Sequence, residues 1–211
     1  TNIHSYEVNQ WIPTLIKANG SASTSDRRIA NHSWAGSGMT PTDSANILRL
    51  IDRQVERNEY IQVTAAASPL LADAYNDISV GISAGIPTQS HAIDSVYNAQ
   101  RPIVDLVAPA DVLSSATPIV ASAAALLVDV GHSGGLNLSK GSKTVTPDSG
   151  TPFTVYNAER SETIKAALLA GADRETQNTT TYGDITDYRA VTHQTANGLD
   201  DRYGAGQLNI E

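Results

Sequence analysis

The sequence predicts an α/β fold with a mostly parallel central sheet, and three observations carry that expectation. Short apolar runs without alternation, "IQVTAAAS", "NDISVGIS" and "IVDLVAP", have the character of strands buried on both faces. Segments of helical period, such as "TDSANILRLIDRQVERNEY" and "RSETIKAALLAGAD", are interleaved with them. The 211 residues, 40% hydrophobic and 17% charged, are enough to enclose a core of that kind in one domain.

Taken in order, "SYEVNQWIPTLIKANG" places apolar residues at 8, 11, 12, 15 and 16 and closes on Gly20, a helix with a glycine stop. A Ser/Thr-rich link leads to an extended segment near 28–34. The next helix opens on cap-type residues and keeps a stripe at 47, 48, 50, 51 and 55. Strands are expected near 61–67, 78–84 and 103–107. An Ala-rich helix over 116–130 follows, its small side chains suited to close helix–sheet approach. Residues 131–158 are rich in Gly, Ser and Thr and read as a peripheral insertion, with a hairpin around "KTVTP" and "PFTVY". A last helix opens at Ser161-Glu162, and the tail beyond it is dominated by loops.

Bulk properties exclude several classes of function. A formal net charge of −8, with no basic run longer than Arg27-Arg28, argues against nucleic acid as a partner. The chain has no cysteine, so disulfides and thiolate zinc sites are excluded. No apolar run reaches the ~18 residues of a membrane span. The longest, Ile119 to Val130, is interrupted by Ser122 and Asp129. No basic-then-apolar signal segment opens the chain, and both ends read as cut from a longer protein.

The stretch "SSATPIVASAAALLVDVG", residues 114–131, is the first candidate for chemistry. Ser114 and Ser115 precede Pro118, which suits a first helical turn. Their hydroxyls then read as caps for the first free N–H groups. The same position also serves a nucleophile, because unpaired N–H groups and the helix dipole favour a developing oxyanion.

The order of "ANHSWAGS", a helix, "VTAAAS", "DISVGIS", "RPIVDLVAP", "SSATPIVASAAALL" and "YGAGQLNI" resembles the subtilisin-like serine peptidases. In that family the nucleophile lies in Gly-Thr-Ser-x-Ala-Thr-Pro, and Ser114, Ala116, Thr117 and Pro118 match it. The resemblance covers most of the chain except 131–158. It implies a three-layer subtilisin-like fold, incomplete at the N-terminus, with Ser114 as catalytic serine of an endopeptidase. It further implies a peptide or protein substrate paired along Ser33, Trp34, Ala35 and Gly36, and a secreted or periplasmic location. For Trp34, plain core packing is the simpler reading of the residue by itself.

The departures from the family pattern are specific. Val112-Leu113 stand where it has Gly-Thr, and only Ala110 to Leu113 separate "VAP" from Ser114. Pro69 stands where an oxyanion asparagine is expected after Ala65-Ala66-Ala67-Ser68, and it offers neither amide nor N–H. None of His4, His32, His91, His132 and His193 has the family's His-Gly-Thr-like context. The resemblance therefore places the Asp and His in an upstream segment of the same precursor. The alternative is a non-catalytic relative, a peptide-binding or structural module.

Two further patterns count for less. "GHSGG" fits the G-x-S-x-G elbow, with Ser133, Asp187 and His193 in the matching order. An elbow needs a strand before it, whereas an Ala-rich helix precedes this one, so a glycine-rich turn ending that helix is expected instead. No cofactor is implied. Calcium is conceivable at acidic tail residues such as Asp200 and Asp201, as in some relatives, but no EF-hand spacing supports it and no metal ligand is assigned.

Overall fold

The computed structural model describes residues 5, 11, 26–34, 40–66, 71–83, 101–133, 141–148, 150–174 and 190–211. Four parallel strands form a sheet in the order β1 (Ile29–His32), β2 (Ile61–Ala65), β3 (Ile78–Ile82), β4 (Leu106–Ala108). The register is Ile29 opposite Ile61, Val63 opposite Ile78 and Val80 opposite Leu106. β2, β3 and β4 are buried along their whole length, which is why their sequences run apolar instead of alternating.

Helix α1 (Pro41–Asn58) starts where Thr40 accepts the Asp43 N–H at 3.2 Å. Its stripe Ile47, Leu48, Ile51 and Val55 packs with Trp11, Leu71 and Ala74. Leu50, counted in the stripe from sequence, is only half-buried. Helix α2 (Leu113–His132) lays Ala116, Val120, Ala121, Ala123 and Ala124 against Ile61, Val63, Ile78, Val80, Ile82, Leu106 and Ala108. Ile61 and Val63 thus point toward α2. Gln62 between them points the other way, where its amide donates to Gln54 of α1 at 3.1 Å. The sheet therefore has helices on both faces, the α/β architecture expected.

A hairpin of β5 (Ser142–Val145) and β6 (Phe153–Tyr156) occurs where one was expected. A 3-10 turn, Asn157–Glu159, then leads into α3 (Ser161–Gly171), which sends Ile164 and Leu168 into the main core. The helix opens at Ser161 as expected, and the residue ahead of it, Arg160, makes no side-chain cap bond. The tail returns to β4, with the Val107 N–H on the Gly206 carbonyl and the Leu208 N–H on the Val107 carbonyl. Gly204 lies at φ +59°, and a Cβ there would run into the Asp105 and Val104 carbonyls. That close approach explains the glycine in "YGAG". The first expected helix falls almost entirely outside the described residues, of which Trp11 is helical.

Candidate functional site

Ser114 lies just past the carboxyl end of β4, in the first turn of α2, with its side chain exposed. Helix α2 begins at Leu113, three residues earlier than the sequence predicts, and the residue ahead of it is Val112. This overturns the capping reading of the serine pair. Val112 offers no side-chain acceptor, and both serines are inside the helix. The turn closes through its backbone instead, Ser115 N–H to the Val112 carbonyl at 3.0 Å and Ala116 N–H to the same oxygen at 3.2 Å. The amides of Leu113 and Ser114 have no acceptor four residues back within the helix. That is the polarity a developing oxyanion needs.

Pro118 also lies one turn deeper than the sequence predicts. It has no N–H, so the Ser114 carbonyl lacks the donor that an α-helix supplies from four residues on. Thr117 Oγ1 donates to the Leu113 carbonyl at 2.7 Å, tightening the same turn.

No side-chain hydrogen bond to Ser114 occurs among the described residues, and each described imidazole is engaged elsewhere. His32 is the last residue of β1 and is buried, with Nε2 facing Gln62 Oε1. Burial pushes its pKa down to about 4, only partly offset by the Gln62 bond. His132 Nδ1 lies 2.8 Å from Glu159, and His193 Nδ1 lies 3.0 Å from Asp201. His132 is the last residue of α2. His4 and His91 lie outside the described residues, as do Ala67, Ser68 and Pro69.

Of the strip named as substrate-binding, Ser33 and Trp34 continue from the carboxyl end of β1, and Ala35 and Gly36 lie outside the described residues. Ser33 Oγ exchanges hydrogen bonds with the Asn31 side chain. Trp34 is half-buried and meets Trp11 and His32 edge-on, with centroids 5.9 and 6.1 Å away. Packing thus accounts for much of the indole, as the simpler reading expected. Among the described residues β1 pairs only with β2, so Ser33 and Trp34 follow a strand at the edge of the described sheet.

Ser133 does not sit on an elbow. It follows α2 directly and donates its hydroxyl to the Val130 carbonyl at 2.9 Å. Asp187 lies outside the described residues. Asp200 accepts from the Arg202 N–H and guanidinium and from the Tyr203 N–H, closing its own turn.

Sequence reasoning missed a buried polar cluster beside β3. Lys165 of α3 donates to Asp105 Oδ2 at 2.8 Å and to the Asp77 carbonyl at 2.6 Å. The Asp77 carboxyl accepts from Thr64, while its other oxygen is buried without a hydrogen bond. Burial raises the Asp77 pKa well above the usual carboxylate range, against the pull of Lys165 and with the push of Asp105. Burial thus favours the neutral acid over the carboxylate. The signal was present in "NDISV", where an Asp enters a strand buried on both faces.

No protein-family model and no curated protein sequence matches the chain. Among solved structures it is similar to the patellamide maturation protease PatA, with a TM-score of 0.47 and 18% identity. The match covers 86% of this chain and 60% of that one, so the chain spans less than two thirds of its length. A likeness of that degree carries neither an activity nor a residue role.

Proposed function

We propose that this chain is the serine-bearing part of a subtilisin-like endopeptidase domain, with Ser114 as nucleophile and the Asp and His supplied by an upstream segment of the same precursor. One observation carries the reading. The serine of Ser-x-Ala-Thr-Pro is exposed in the first turn of the helix that crosses the parallel sheet, beyond the carboxyl ends of its strands, the side on which open α/β sheets place ligands. Neither hydroxyl of the pair caps the helix, so the capping role that would explain Ser114 without chemistry is removed.

In this reading an extended peptide pairs with the edge continued by Ser33, Trp34, Ala35 and Gly36. The part of residues 131–158 that follows α2 is an excursion from the core, and the protein works outside the cytoplasm. A serine hydroxyl without a base is a weak nucleophile, so the isolated chain is inactive.

A second reading, a non-catalytic peptide-binding or structural module, draws on Val112-Leu113 ahead of the serine and on the engagement of all three described imidazoles. A serine-directed fluorophosphonate probe separates the two. Labelling at Ser114 in a precursor carrying the upstream segment, and none in the isolated chain, is the expected outcome. No labelling in either supports the non-catalytic module, and labelling of the isolated chain removes the need for upstream partners.

A further inference from the structure

At the end of α2 remote from Ser114, two fully buried carboxylates gather most of the surrounding elements. Glu59, just after α1, accepts from the Ser161 N–H (2.8 Å), Lys143 Nζ (3.0 Å) and Arg160 Nε (3.2 Å), with the Ser161 hydroxyl at 3.0 Å. Glu159, in the 3-10 turn, accepts from Arg28 Nη1 (2.6 Å) and the Tyr156 N–H (2.8 Å) and faces His132 Nδ1. Arg28, leading into β1, joins the two by donating Nε to the Glu59 carbonyl and Nη2 to the Glu159 carbonyl. Gly131 lets the end of α2 come close, since a Cβ there would lie 2.9 Å from the Ala158 backbone.

The apolar surface holding the hairpin is small. Among its described residues Val145, Val155 and, in the connecting loop, Pro147 are buried, and Phe153 and Tyr156 are half-buried. α3 is anchored independently by Ile164 and Leu168 farther along the helix. The two carboxylates thus tie the hairpin and the start of α3 to the ends of α1 and α2, beside the bonds of Lys143 Nζ and the Ser161 hydroxyl to the Glu56 and Val55 carbonyls.

We infer that Glu59 and Glu159 form an acid-released clamp. While both are ionised, the β5–β6 hairpin and the first turn of α3 are held against the ends of α1 and α2. When they are protonated, that layer detaches while the sheet stays folded. The groups facing the carboxylates are Arg28, His132, Lys143 and Arg160, the last also paired with Glu162. Arg28, Lys143 and Arg160 keep their charge as pH falls, so the release belongs to the acids. Burial alone would raise both glutamates, but the donors of Ser161 and Lys143 on one, and of Tyr156, His132 and Arg28 on the other, outweigh it and hold both below their ordinary range. A depressed carboxylate contributes stability that is present above its unfolded pKa and lost as pH falls through its folded one. Release thus falls on the acid side of about pH 4.3.

Hydrogen exchange on the whole chain from neutral to acid pH, corrected for intrinsic rates, tests this. Amides of 141–163 should exchange at least about tenfold faster in acid, the loss of one charged hydrogen bond or more, while β2 and β3 stay protected. Glu59→Gln and Glu159→Gln should show the same regional release at neutral pH. Lys143→Met removes one donor and leaves both carboxylates in place, so it should move the release to higher pH. If the hairpin and β2–β3 open in one step at one pH, or if Lys143→Met leaves the midpoint where it was, the clamp is refuted. Should the Gln variants fail to fold, the Lys143→Met midpoint decides alone.

Discussion

Helix α2 begins at Leu113 with no side-chain cap, and ends at His132 with its ring against a buried glutamate. At the first end Ser114 is exposed, and its turn is closed by backbone bonds and by the Thr117 hydroxyl on the Leu113 carbonyl. At the other, Arg28, Lys143 and Arg160 converge with His132 on Glu59 and Glu159. The contrast separates two uses of polar groups. Donors saturated by carboxylates hold elements together and are closed to ligands. Amides at a helix start, with no acceptor four residues back, stay open to a charge that forms there.

The comparison is broken most directly at its structural end. Glu159→Ala leaves Arg28, 18% exposed at its side chain, without its carboxylate. Breaking such a pair is expected to cost about 3–5 kcal/mol, read by urea unfolding at neutral pH. A cost below about 1 kcal/mol, the range of a surface pair, would place the network with ordinary surface ion pairs.

A smaller effect of opposite sign is expected at Asp77, whose pKa burial raises beside β3. Its raised folded pKa means the folded chain holds a proton that the unfolded chain releases. The contribution is complete below the unfolded value near 3.9 and erodes as pH rises toward the folded one. Asp77→Asn keeps an acceptor for Thr64 and removes the titration. Its thermal midpoint should exceed that of the parent, by a margin that grows from about pH 4 to pH 7. Equal midpoints throughout would show that the carboxyl ionises freely in place.

The smallest effect belongs to Ser114. Ser114→Ala removes an exposed hydroxyl that caps nothing, so stability should change by no more than about 0.5 kcal/mol. In a precursor that labels with fluorophosphonate, the same change should abolish the label. A large loss of stability would return Ser114 to a structural role.

The order of elements was legible because burial leaves a periodic trace. β2 and β3 read as apolar runs, and α1 as a stripe from Ile47 to Val55. The start of α2 was not legible, because Ser-Ser-x-x-Pro is an equally good cap and first turn. The helix takes in Leu113, ahead of both serines. The clamp left no local sign at all. Arg28 and Glu159 are 131 positions apart and meet only when β1, α2 and the hairpin are in place. Tertiary polar networks of this kind are invisible to periodicity.

Glu59 stands in the left-handed region, at φ 53°, with its N–H closing α1 on the Val55 carbonyl. A consensus-minded engineer would replace it with glycine, which takes that backbone without a Cβ penalty. The exchange relieves the local conformation and strips Lys143, Arg160 and Ser161 of a shared acceptor in the same step. At this position the backbone and the side chain are under opposed demands, and the side chain prevails. Thermostabilised variants of this chain should be sought at other helix ends.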